Sequence, residues 1–84
     1  MLCFVYIIYS KDIDRYYVGQ TENLEDRLFR HNNSESKSTK RANDWRFVHF
    51  EEFPDRSSAV NRETEIKKKK SRKYIESIIS NNIK

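Results

Sequence analysis

Four side chains carry most of the chemical interest of this 84-residue chain: Tyr6, Tyr17, Arg27 and Glu63. The tyrosines stand eleven positions apart in two short apolar runs, Phe4-Val5-Tyr6 and Tyr17-Val18-Gly19, with a charged stretch between them. Alone, they read as ordinary strand aromatics whose hydroxyls find a hydrogen-bond partner. Glu63 says more. On a helical wheel it falls four residues from Ala59 and three from both Val60 and Ile66, on the apolar side of its helix. An ionised carboxylate is costly there unless a cation or several donors meet it. The candidates are a metal ion or Arg27, the second being a plain structural salt bridge. The expectation is a hairpin forming the floor of a nucleic-acid-cutting site, with helices that bring Arg27 and Glu63 to it.

The elements that must position these groups follow from the pattern along the chain. Leu2 to Tyr9 is an unbroken β-branched and aromatic run, as in a central strand covered on both faces. Ser10 to Arg15 is a polar turn and Tyr16 to Gln20 the returning strand of an antiparallel hairpin. If Tyr9 pairs with Tyr16, then Tyr6 is a diagonal neighbour of Tyr17 on one face, and a slip of one residue separates them. Gly19, the only glycine, weakens a strand and so marks a place where another group approaches the backbone.

Thr21 is the expected N-cap of a first helix running to about His31, with Glu22, Glu25 and Asp26 in its first turn. Leu24 and Leu28 form its buried stripe, and Arg27 and His31, four apart, lie along one margin. Residues 32–44 have no periodicity and read as a mobile loop, made basic by Lys37, Lys40 and Arg41. Trp45 to Phe53 is a third strand, stopped by Pro54-Asp55-Arg56. Ser57 or Ser58 caps a second helix whose apolar positions are Ala59, Val60 and Ile66, and Lys67 to Lys70 closes it. Ser71 opens a last helix with Tyr74, Ile75, Ile78 and Ile79 turned inwards.

A chain of this length makes one small domain, expected to span 1–84, that buries only about 60% of its unfolded surface. Apolar residues are 36% and charged residues 36% of the chain, a compact-domain composition rather than a disordered one. The net charge of +4 modestly favours a polyanionic partner, because Lys and Arg that neutralise phosphates release counterions. Solubility alone would give the same sign. Lys67 and Lys70, with Lys37, Lys40 and Arg41 of the loop, are the candidate phosphate track. Cys3 is the only cysteine, which leaves no intrachain disulfide or cysteine-based zinc site and suits a reduced, cytoplasmic setting. The first apolar run lacks a basic leader and a cleavage site and is too short to span a membrane, so it reads as a strand, with no membrane partner.

As a set, these residues resemble a known family. Phe4-Val5-Tyr6, Tyr17-Val18-Gly19, Asn23-Leu24-Glu25-Asp26-Arg27-Leu28 with His31, then Trp45, and Ala59-Val60-Asn61-Arg62-Glu63 with Ile66-Lys67 are similar, in order and spacing, to the GIY-YIG nucleases. The likeness is to small stand-alone bacterial members, related to the N-terminal nuclease domain of the UvrC repair subunit. Phe4 stands where the family name places its first glycine, and Gln20 where repair nucleases often carry lysine. The resemblance implies an α+β fold, a three-stranded antiparallel sheet flanked by about three helices. It also implies a metal-dependent DNA endonuclease of DNA repair or processing, with RNA an open alternative and one divalent ion, Mg²⁺ or Mn²⁺, on Glu63. Tyr6 would act as general base or orient the attacking water, Tyr17 would bond to it or to the scissile phosphate, Arg27 would stabilise the pentacovalent charge, and His31 would assist. A phenol with a pKa near 10 is a poor base at neutral pH, so the metal or Arg27 would have to depress it. The other reading is a non-catalytic nucleic-acid-binding module of the same fold. A monomer or weak homodimer fits either.

Overall fold

The central strand β1 (Cys3–Ser10) is flanked by β2 (Arg15–Thr21) and β3 (Arg46–Phe53) in an antiparallel sheet of order β2-β1-β3. Helices α1 (Leu24–Asn32), α2 (Arg56–Lys69) and α3 (Arg72–Asn81) complete an α+β fold. The computed structural model describes residues 2–33 and 39–81, so Lys37 lies outside the described residues. No described helix is long and apolar enough to cross a membrane.

The unbroken apolar run of β1 is explained by burial on both faces. Cys3, Val5 and Ile7 point to one side and pack with Val18, Ala59, Ile66 and Ile78, beneath α2 and α3. Tyr6 and Ile8 point to the other and pack with Ala42, Trp45, Leu24 and Leu28, beneath α1 and the segment before β3. Side-chain alternation along a strand makes these two faces two separate cores. The hairpin register pairs Tyr9 with Tyr16, Ile8 with Tyr17 and Tyr6 with Gly19, which puts the two motif tyrosines on a diagonal. On the β3 side Ile7 faces His49 while Ile8 faces Phe47, so Val48 is the extra residue of a bulge.

Several local expectations are corrected by the backbone. Asn23, not Thr21, caps α1, accepting from the Asp26 amide at 3.0 Å; Thr21 ends β2 and accepts from the Asn23 amide instead. Asp55, not Ser57 or Ser58, caps α2, accepting from the Ser58 amide at 2.8 Å. Any short side-chain oxygen in this position serves, and the one standing where the chain leaves the strand takes it. Ser71 accepts from the Tyr74 amide at the start of α3, as the sequence suggests. Val60 is exposed rather than inward, so the apolar stripe of α2 is narrower than its composition implies. The described part of the loop is docked: Thr39, Ala42 and Trp45 are buried.

Polar contacts tie α2 to the sheet as well. Arg62 donates to both carboxylate oxygens of Glu51 on β3, at 2.9 and 3.1 Å, and His49 bonds to the same carboxylate. Burial alone would raise the Glu51 pKa, yet these bonds hold it below the ordinary value. The narrow stripe makes a sharp stability contrast. Replacing Ile66 by Ala should cost about 2–5 kcal/mol in urea denaturation, whereas Val60→Ala should change stability by no more than about 0.5 kcal/mol.

Candidate active site

Tyr6 stands at the middle of β1, 1% exposed, with Gly19 as its partner in β2. Its phenol folds across that glycine. A Cβ at position 19 would overlap the hydroxyl and lie 2.6 Å from the ring carbon that carries it. The φ of Gly19 is not positive, so the glycine is needed for space and not for an unusual backbone. The close approach expected from the lone glycine is therefore made by Tyr6 itself.

The Tyr6 hydroxyl lies 2.9 Å from Nε2 of His31, one turn after Arg27 on α1. His31 is in turn fixed from behind: its Nδ1 is 2.6 Å from Oγ1 of Thr39, which is fully buried. Thr39 is held by the indole N–H of Trp45, donating to its carbonyl at 2.9 Å, and Asn32 clasps the Trp45 backbone with both ends of its amide. The last turn of α1 thus fastens the 39–45 segment, and that segment fastens the imidazole. Thr39 is a residue that sequence reasoning does not find. It sits in a polar, aperiodic stretch, and only the neighbouring Trp45 hints that this stretch must be anchored somewhere.

Around this pair the electrostatics are set mainly by burial. Burial pushes the Tyr6 hydroxyl far above its ordinary pKa, with the nearby Tyr17 and Glu63 adding to the rise and Arg27 opposing it. Arg27 alone does not depress it, contrary to one branch of the sequence expectation, so in the protein by itself Tyr6 is a neutral phenol. Burial also lowers His31, to about 4, and the positive charge of Arg27 works in the same direction. His31 is accordingly a neutral imidazole at pH 7. Nε of Arg27 is buried and makes no hydrogen bond to any described residue, a costly state that an incoming anion would relieve.

The remaining members approach from the margins. The Tyr17 ring is half-buried, 6.5 Å from the Tyr6 ring and 5.1 Å from His31. Glu63 comes from α2; its side chain is 19% exposed and its carboxylate takes Nζ of Lys67 at 2.6 Å. That same ammonium stands 5.7 Å from the centre of the Tyr17 ring. Glu63 is therefore paired with a cation, but with Lys67 rather than Arg27. Among the described residues no three His, Cys, Asp or Glu side chains gather as a metal cage. A lone carboxylate still suits Mg²⁺, which keeps several waters and is often held by one or two carboxylates plus substrate phosphates. The ammonium marks where Glu63 receives positive charge.

The expected cationic residues divide. Lys67 and Lys70 line a groove with Tyr17, while Arg41 lines a smaller one that shares Arg15, Tyr16 and Tyr17 with it. Lys40 is exposed and lines neither.

Two measurements check this geometry. Gly19→Ala should push the phenol off His31 and cost about 1–3 kcal/mol, as overpacking does. The His31 imidazole should titrate near pH 4 by NMR. Folding keeps it neutral where the unfolded chain, at about 6.5, would be protonated, so its contribution is complete above about pH 6.5 and declines as pH falls towards 4. The loss should total on the order of 3 kcal/mol, and His31→Gln should abolish that part of the slope in urea melts compared across this range.

Known proteins are similar to this chain in sequence and fold. The family model for the GIY-YIG catalytic domain matches residues 2–75. A UPF0213 protein of Clostridium perfringens is 38% identical over 82 residues, covering 96% of this chain and 87% of the relative. A UPF0213 protein of Haloquadratum walsbyi is 42% identical over 65 residues, or 76% and 72% of the two chains. The solution NMR structure of the UPF0213 protein BH0048 from Bacillus halodurans superimposes with a TM-score of 0.62 at 30% identity, over 98% of this chain and 86% of that one. With the family model covering most of its length and the three-stranded sheet and helices in place, this chain belongs to the GIY-YIG family of nucleases.

Proposed function

We propose that this domain is a metal-dependent endonuclease that hydrolyses DNA phosphodiester bonds, with its site built from Tyr6, Tyr17, Arg27, His31 and Glu63. The observation that carries the reading is the Arg27 guanidinium, whose buried Nε lacks a partner among the described residues, beside a neutral Tyr6–His31 pair. A phosphate oxygen is the acceptor that such a donor suits.

The residues divide the work as follows from their protonation states. Arg27 binds the scissile phosphate and meets the charge that grows on it in the pentacovalent state. Tyr6, a phenol and not a phenolate, orients the attacking water and passes its own proton to Nε2 of His31 as it takes one from the water. His31 is suited to accept because it is neutral, but with a pKa near 4 it is a weak base in the free protein. A phosphate on Arg27 cancels part of the positive charge that holds His31 down, so binding substrate strengthens the base at the moment it is needed. Tyr17 borders the same space and contacts the phosphate. Glu63 would hold the divalent ion, which supplies Lewis-acid neutralisation of the phosphoryl oxygens. Lys67 would have to give up that carboxylate oxygen to the ion, and being half-exposed it is free to swing away.

Cleavage of single-stranded, duplex and branched DNA in Mg²⁺ or Mn²⁺ tests the proposal. Wild type should cut at least one of these, and Glu63→Ala and Arg27→Ala should each lower the rate by about 10²-fold or more. Tyr6→Phe, which keeps the ring and loses the proton path, should do the same. Equal cutting by wild type and Glu63→Ala would refute the assignment. Binding without any cutting would leave a non-catalytic nucleic-acid module.

A further inference from the structure

The groove beside Tyr17 shares only that residue with those just assigned to bond breaking. It encloses about 490 Å³ between the start of β2 and the joint of α2 with α3. That is within the roughly 300–1,000 Å³ of pockets that hold drug-sized molecules. Val18, Ile66 and Ile75 supply its apolar lining, and Arg15, Lys67 and Lys70 its charge. Arg72 also borders it, but is committed to Asp14 at 2.6 Å and Glu76 at 3.2 Å. Among the described residues Arg15 and Lys70 make no ion pair, so their charge is available.

The backbone singles out the same place. Among the described residues two that are not glycine have positive φ, Asp14 at 52° and Lys70 at 48°, and both line this groove. Lys70 is the left-handed cap of α2, a position where glycine would be free of strain and where this chain instead presents a cation. Left-handed non-glycine residues gather where the surrounding structure has a use for them.

We propose that this groove binds an unpaired nucleotide of single-stranded DNA next to the scissile phosphate. The inference rests on the nuclease reading for why a strand is there, though not for whether it binds. The sugar and base lie against Tyr17 and Ile75, with the buried Val18 and Ile66 beneath them, and the flanking phosphates meet Lys70 and Arg15. Lys67, once off Glu63, joins them. The strand then passes Tyr17, which belongs at once to this groove, to the candidate active site and to the smaller groove with Arg41. A cationic groove with aromatic walls is how sequence-tolerant proteins hold single strands. A base still paired and stacked in a duplex cannot enter it without being extruded. The substrate class that follows is DNA with an unpaired segment at the cut, such as a single strand, a flap or a branch.

Binding without catalysis provides the test. Uniformly ¹⁵N-labelled full chain in EDTA is titrated with a short oligothymidylate and, separately, with a duplex of equal length. The single strand should shift amides of Tyr16 to Val18 and Ser71 to Ile75, and bind at least tenfold more tightly than the duplex. The double variant Arg15→Glu/Lys70→Glu should weaken single-strand binding at least tenfold and flatten its salt dependence by a slope of about 0.7 for each phosphate no longer neutralised. Lys68→Glu/Lys73→Glu, with the same change in net charge outside the groove, should weaken it far less. Equal shifts and affinity with the duplex, or equal losses in the two double variants, would overturn the proposal. The two readings separate cleanly. Should wild type cut DNA while Arg15→Glu/Lys70→Glu binds and cuts as well as wild type, only the groove fails. Should the single strand fill the groove while wild type cuts nothing in Mg²⁺ or Mn²⁺, only the nuclease reading fails.

Discussion

The phenol of Tyr6 lying across Gly19 is the contact on which the rest of the site depends. A tyrosine at the centre of a central strand would ordinarily be trapped between neighbours on its own face. Here the missing Cβ opposite it lets the ring tip over the backbone of β2, so that the hydroxyl reaches His31 on α1. Tyr17, Arg27 and Glu63 all stand near enough to that hydroxyl to act on its charge. The two halves of the motif pair are therefore one device, a large ring and the space that admits it, and neither has meaning without the register that sets them opposite each other.

That dependence explains which features are legible in the sequence and which are not. The hairpin, its register and the centrality of β1 are legible because β-branched and aromatic runs flanked by polar turns leave few alternatives. The lone glycine is legible as a close approach, though not as one made by Tyr6. The helix caps expected at Thr21 and at Ser57 or Ser58 fall elsewhere, because several capping residues cluster at each place and geometry alone chooses among them. Glu63 is legible as a carboxylate needing a cation, yet its partner comes from its own helix, one turn on, rather than from Arg27. Helical i,i+4 contacts cost little chain entropy, so a local lysine outcompetes a distant arginine unless packing forbids it. Thr39 is invisible because its role is set by where a loop folds back, which no local periodicity encodes.

The charge state of the site follows from the same packing. Enclosing a phenol and an imidazole between the sheet, α1 and the segment before β3 penalises the ionised form of each, so both are neutral in the resting protein. Arg27 is the exception, and its cost shows as a buried nitrogen with no partner among the described residues. A neutral proton donor, a neutral proton acceptor and an under-satisfied cation form an arrangement that is incomplete by one anion. In an 84-residue domain with little stability in reserve, even one buried nitrogen left without a partner is a cost that counts.

Tyr6 and His31 are at once among the most buried side chains and the centre of the candidate chemistry, so core and site are not separate regions here. A larger enzyme can mount reactive groups on loops above an independent core. This domain has too few residues for that division, and it uses the central strand itself, with one core on each face. The arrangement confers rigidity, because β1 cannot shift without disturbing both layers, and rigid placement is what phosphoryl chemistry asks of a protein. It also restricts where adaptability can reside. What is left to respond to a ligand is the perimeter: the lysines ending α2, the strained joint at Lys70, and the Glu63–Lys67 pair.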